Sequence, residues 1–157
     1  MSSKEIERKF LVKSHDYRKE AQKTEEIIQG FLSSVPERTV RVRMVDKIGW
    51  ITVKGIGNAS GTTRFEWEKE IPGSEAKSLL DLCEPGRIAK TRYYIRRGTH
   101  TFEVDEFHGE NKGLVIAEIE LEEETESFEH PSWLGEEVTG QNKYYNASLS
   151  KLPFSQW

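Results

Sequence analysis

The sequence predicts an α+β fold: an antiparallel β-barrel with a polar lumen, flanked by a few helices. Three observations lead there. Seven stretches alternate charged and apolar residues with the period of two that a strand imposes. Acids gather on some of these stretches and bases on others. Helical spacing is confined to a few short segments.

The elements follow in chain order. In "EIERKFLV", Glu5, Glu7 and Lys9 share one face, and Ile6, Phe10 and Val12 take the other. Residues 14 to 24 fit a short helix. "EEIIQGFLSS" and "TVRVRMV" are strands with Pro36 punctuating the turn between them. Arg41 and Arg43 lie opposite Val40, Val42 and Met44. In "GWITVKG", Trp50, Thr52 and Lys54 oppose Ile51 and Val53. "KGIGNASG" reads as a hairpin loop, because it lacks the Gly-Lys-Ser/Thr ending of a phosphate-binding loop. In "TRFEWEKEI", Arg64, Glu66 and Glu68 oppose Phe65 and Trp67. "PGSEAKSLLDLC" reads as a helix, with Pro72 near its start, Glu75 in the first turn, and Ala76, Leu79, Leu80 and Cys83 on one face. Three more strands follow. Lys90 and Arg92 oppose Ala89, Tyr93 and Ile95; Glu103 and Asp105 oppose Phe102 and Val104; Glu118 and Glu120 oppose Ala117, Ile119 and Leu121. "NKYYNASLSKL" reads as a closing helix. Trp50, Trp67 and Trp133 read as packing residues on the apolar outer face, and Trp157 as a frayed end. His15, His100, His108 and His130 have no i, i+4 pairing and read as surface residues.

Composition narrows the function. The chain has 157 residues and no Pro/Gly/Ser-rich linker, so residues 1–157 are expected to form one domain. Charged residues make up 32% and apolar residues 35%. The formal net charge of −4 carries no basic footprint for nucleic acid. The single cysteine, Cys83, rules out an internal disulfide and a cysteine-based zinc site, and it reads as a small core residue. The first residues have no apolar signal region, and no stretch approaches the ~20 apolar residues of a membrane span. A cytoplasmic protein with no membrane partner is expected.

One alternating strand is ordinarily a half-buried sheet with a wet polar face. The set is harder to explain that way. Like charges two apart on a strand repel unless something compensates them. A closed barrel would bring the acid and base sets together, the acids needing cations and the bases an anion. A metal–polyphosphate complex satisfies both. Mg²⁺ and Mn²⁺ prefer oxygen ligands, which suits Glu5, Glu7, Asp105, Glu118 and Glu120. Arg and Lys bind phosphate as a fork and as a point charge, which suits Lys9, Arg41, Arg43, Lys54, Arg64, Lys90 and Arg92.

"EIERKFLV" resembles the E-x-E-x-K signature of the CYTH superfamily, the triphosphate tunnel metalloenzymes. "QGFL", "VRVR", "TVK", "RFEWE", "KTRY", "FEVDEF", "AEIEL" and "WLGEEVT" resemble further family segments, in family order. The resemblance implies an eight-stranded antiparallel barrel whose lumen binds a small-molecule triphosphate with Mg²⁺ or Mn²⁺. It implies Glu5, Glu7, Glu118 and Glu120 as metal ligands with Asp105 in support, the seven cations above along the anion path, and Lys143 on a C-terminal helix at the rim. Several of the short members hydrolyse inorganic tripolyphosphate, and that is the activity the resemblance leads one to expect here. One of Glu5, Glu7 or Glu120 would orient the attacking water, and Lys90 would assist the leaving group. A class IV adenylate cyclase, a thiamine or nucleoside triphosphatase, and a non-catalytic polyphosphate binder are the alternatives; a homodimer is compatible with the sequence. Two departures bear on phosphate gripping. Phe31 stands where related hydrolases carry tyrosine, and Gln141 and Lys143 stand where an acid and an arginine are usual.

Overall fold

The computed structural model describes residues 6–56 and 65–157. Glu5, Arg64 and most of the "KGIGNASG" loop lie outside the described residues. The chain groups into two compact units, one comprising residues 1–25 and 90–157 and the other residues 26–89.

The first unit contains β1 (Ile6–Val12), α1 (Tyr17–Glu20), the opening residues of β2 (Lys23–Ser33), β6 (Ile88–Arg97) from Lys90 onward, β7 (His100–Phe107), β8 (Val115–Leu121), β9 (Leu134–Glu137) and α3 (Asn146–Leu149). Its strands are ordered β6-β7-β8-β1-β9. The second unit holds the rest of β2, β3 (Arg38–Val45), β4 (Ile48–Gly55), β5 (Glu66–Pro72) and α2 (Gly73–Leu80), ordered β5-β4-β3-β2. The antiparallel sheet with a few short helices agrees with the fold expected from sequence. The strand count does not: nine strands are formed among the described residues rather than eight. The extra strand is β9, four residues against β1 with a register shift between Phe10 and Val12. Gly135 makes this pairing possible, since a Cβ there would stand 2.9 Å from the Leu11 carbonyl oxygen. A four-residue strand containing glycine has too little alternation to be read from sequence.

Each unit buries the apolar side of its own strands. In the first, Phe10, Ile95, Phe102, Val104, Ala117 and Ile119 pack with Tyr17, Trp133 and Leu134. The Trp133 ring meets Phe102 and Tyr17 edge-on at 5.3 and 6.0 Å, and its Nε1 donates to Glu20 at 3.1 Å. In the second, α2 lays Ala76 and Leu80 on Val42, with Ile28, Leu32, Met44 and Cys83 around them. Cys83 is the partly buried packing residue that the sequence predicts, lying where a Cβ on Gly30 would come within 3.0 Å of its own Cβ.

Three smaller expectations change. Trp67 is 45% exposed because β5 is an edge strand and α2 packs over Val42 rather than over it. Trp157 does not fray: it packs against Tyr144 and Phe154, centroids 5.3 and 5.0 Å apart. The closing helix divides into a 3₁₀ turn at Asn142–Tyr144 and the four-residue α3, because Tyr145 between them is extended at φ −85°, ψ 146°. No helix among the described residues is long and apolar enough to cross a membrane.

Gly49 tests the packing of α2. A Cβ there would stand 2.3 Å from the Ala76 Cβ, whereas one on Gly55 would meet Phe65 at an ordinary 3.5 Å. Gly49→Ala is expected to lower stability by about 1–3 kcal/mol, the usual cost of overpacking, and Gly55→Ala to change it far less. The urea midpoints of the two variants check this.

Candidate functional site

Strand register decides which charges meet. Across the first unit, Lys9 pairs Glu118, Glu118 pairs Glu103, and Arg92 pairs Asp105. All lie on the sheet face opposite Phe10, Ala117 and Phe102, so the apolar core forces them to one side.

Asp105 is the most deeply buried acid of the group, at 2% exposure. Lys90 donates to its Oδ2 at 2.8 Å, and Arg92 forks onto both oxygens at 2.8 and 2.9 Å. Arg92 also reaches Glu103 at 2.9 Å. Burial alone would raise the Asp105 pKa, but the two cations hold it below the ordinary carboxylate range. Lys90 is shifted down by its burial; Asp105 offsets part of that shift and Arg92 adds to it. A second group sits beside the first. Lys9 donates to Glu118 and lies 3.3 Å from Glu7, with its ammonium 4.7 Å from the Tyr145 ring centroid. These acids outweigh the desolvation of Lys9 and raise its pKa.

Glu103, Glu118 and Glu120 line a cavity of about 210 Å³ with Thr99, His100 and Thr101. Burial pushes the Glu103 and Glu118 carboxyls up, and neighbouring carboxylates push them further. Negative charge is therefore crowded at this cavity. Its donors are carboxylate and hydroxyl oxygens with one imidazole, a set whose chemistry fits a hard divalent cation. Among the described residues, no three acidic, histidine or cysteine side chains converge tightly enough to cage an ion without rearrangement.

The second unit carries its own charged face. Arg43 Nε donates to Gln29 at 3.2 Å, and Arg41 lies 3.5 Å from Thr52 and 3.9 Å from Glu68. Thr52 in turn donates to Glu68 at 2.7 Å, and Lys54 lies 3.8 Å from Glu66. Burial lowers the Arg41 pKa against the pull of Glu68 and Glu66, and its Nε donor has no hydrogen-bond partner among the described residues.

The structure thus brings Glu7, Lys9, Lys90, Arg92, Asp105 and Glu118 together in one unit, with Glu120 on the cavity wall. It gathers Arg41, Arg43 and Lys54 in the other. Glu5 and Arg64 fall outside the described residues. Lys143 lies over the Tyr144 and Trp157 rings, 5.3 and 4.5 Å from their centroids. Several participants escaped the sequence reading. Glu103 was in phase with Asp105 but not assigned. His100 lines the cavity and is paired with Glu126. Arg8 is in phase with the apolar side, yet it forks onto Glu137, at 2.9 Å for one of its two bonds, and lies over Phe128 at 5.0 Å. That hydrogen bonding holds the Glu137 pKa at about 2.

A CYTH-domain family model matches residues 3–154. The chain belongs to the CYTH family. It is 45% identical over 155 residues to an inorganic triphosphatase of Acetivibrio thermocellus, covering 98% of this chain and 97% of that protein. An inorganic triphosphatase of Nitrosomonas europaea is 32% identical over 150 residues, covering 93% and 96%. Among solved structures, the inorganic triphosphatase NE1496 superposes with a TM-score of 0.76 at 29% identity, covering 95% of each chain. The Hippeastrum protein HpAC1, at 17% identity and a TM-score of 0.53 over 76% of this chain and 80% of that one, shares the fold. The nine-stranded sheet described above is this family's fold in this chain.

Asp105→Asn takes from buried Lys90 its paired carboxylate and leaves Arg92 with Glu103 alone, and is expected to cost about 3–5 kcal/mol. The pH dependence carries a sign. A lowered folded pKa stabilises above the unfolded carboxylate value, and the contribution is lost as pH falls from there through the folded value. In wild type, stability should fall on acidification below the ordinary carboxylate range, and that part of the acid limb should be absent from Asp105→Asn. Denaturant unfolding at a series of pH values measures both.

Proposed function

We propose that this CYTH-family chain is an Mg²⁺- or Mn²⁺-dependent hydrolase of a triphosphate, with inorganic tripolyphosphate as the preferred substrate. The observation that carries the reading is the carboxylate-lined cavity flanked by paired cations on one sheet face, in a chain 45% identical to an inorganic triphosphatase over nearly its full length. A pure anion binder would have little use for so many acids.

Glu7, Glu118 and Glu120 are the proposed cation ligands, with Glu5 assigned to the same set by the E-x-E-x-K pattern and Asp105 in support behind them. A divalent ion there supplies Lewis acidity toward phosphoryl oxygens. The remaining chemistry falls to the chain's own residues. Lys9 and Arg92 bind the phosphate chain from the first unit. In the second unit, Arg41, Arg43 and Lys54 are phosphate-binding candidates on their own charged face, with Arg64 assigned there by the sequence pattern, and Lys143 is assigned to the rim. These cations offset the charge that develops as the terminal phosphoryl group separates. Glu7, exposed and 3.3 Å from Lys9, orients the attacking water and accepts its proton. Lys90 assists the leaving phosphate. Its lowered pKa makes its ammonium a better proton donor, and the role requires it to turn from Asp105 toward substrate.

Phosphate release from tripolyphosphate, ATP and thiamine triphosphate, each with Mg²⁺, Mn²⁺ or EDTA, tests the reading. Metal-dependent release strongest on tripolyphosphate is expected. No release from any substrate overturns it, and cyclic AMP from ATP would replace hydrolysis by cyclisation. Glu7→Gln is expected to remove most metal-dependent turnover while the circular dichroism spectrum and urea midpoint stay unchanged; full activity or an unfolded variant contradicts the role given to Glu7.

A further inference from the structure

A second cavity, of about 470 Å³, is walled by the far ends of β1 and β8 and by the C-terminal segment. Leu11, Val12, Leu114 and Val115 form one side, and Tyr144, Phe154 and Trp157 supply three aromatic rings. Glu118 and Glu120, which line the carboxylate cavity, sit toward the opposite end of β8. The volume falls within the range of small-molecule sites, roughly 300–1,000 Å³, and predominantly apolar walls are what such sites show.

The aromatic wall is built rather than incidental. The Phe154 N–H donates to the side-chain oxygen of buried Asn111 at 2.8 Å, and Trp157 Nε1 donates to the Leu152 carbonyl at 3.2 Å. Trp157 stands nearly perpendicular to both Tyr144 and Phe154, at 80° and 74°. Lys13 lines the cavity, and none of its lining residues among the described ones is acidic. In a chain of net charge −4, a cavity whose described lining carries Lys13 and no acid is a local reversal.

The geometry points to a binding site for a planar aromatic ring that carries an anionic group, the chemistry of a nucleoside monophosphate. The rings take the base by stacking, and Lys13 takes the phosphate. The site is separate from the carboxylate cavity and goes beyond the triphosphatase reading.

The test is titration of the full chain with AMP, read by calorimetry and by quenching of tryptophan fluorescence, with adenosine and inorganic phosphate as controls. Saturable AMP binding is expected. Trp157→Ala should weaken it about tenfold, in line with the loss of one stacking platform. Lys13→Glu should weaken AMP binding and leave adenosine binding unchanged. Lys13 has no part in the proposed triphosphatase machinery, so tripolyphosphate hydrolysis should be preserved in Lys13→Glu. Absence of AMP binding, binding that survives both substitutions, or equal binding of adenosine and AMP overturns the proposal. Inorganic phosphate that competes as well as AMP overturns it too, since the rings would then contribute nothing.

Discussion

The buried carboxylate of Asp105 is the constraint around which the first unit's charged face is organised. A carboxylate at 2% exposure stays ionised only with close positive partners, and Asp105 has Lys90 and Arg92. Their presence removes Asp105 from the pool of free acids and fixes the Arg92 fork, which then extends to Glu103. The neighbouring group repeats the logic one strand pair away. Lys9 neutralises Glu118 and lies against Glu7, so the face is a row of compensated charges rather than a bare acidic patch.

Compensation is incomplete where the cavity opens. Glu103 and Glu118 both have raised pKa values because burial and neighbouring carboxylates outweigh their cations. That residual negative charge, lined by oxygen donors, has the chemistry that suits a hard divalent cation. In the second unit the imbalance has the opposite sign, with Arg41 partly desolvated and one of its donors unmatched among the described residues. The acid-rich cavity belongs to the first unit and the face bearing Arg41, Arg43 and Lys54 to the second. The aromatic cavity at the other end of β8 has a different character, apolar with Lys13 in its lining, and calls for a different ligand.

Much of the site was legible because a strand's period of two is a strict rule. Glu7, Lys9, Arg41, Arg43, Lys90, Arg92, Glu103, Asp105 and Glu118 all fall on the face that alternation assigned them, since the apolar partners of each strand must enter a core. What alternation cannot give is pairing. It listed Asp105 with the metal ligands on the same footing as Glu118, although the fold commits Asp105 to two cations. It put Arg8 in phase with the apolar side, where Glu137 and the Phe128 ring, more than a hundred residues away, hold it. Those partners come from β9 and the loop before it, which carry almost no periodic signal.

By itself, the sequence determined the strand and helix segments, the division of each strand into charged and apolar faces, and the family, because local periodicity and an ordered set of motifs are properties of the chain alone. The tertiary structure decided the count of nine strands, the pairing of Lys90 and Arg92 onto Asp105, the carboxylates that share a cavity, and the seating of Trp157 against Tyr144 and Phe154. Each of these depends on strand register and on contacts between residues far apart in the chain, and Coulomb and packing energies are set by those distances rather than by spacing along the sequence.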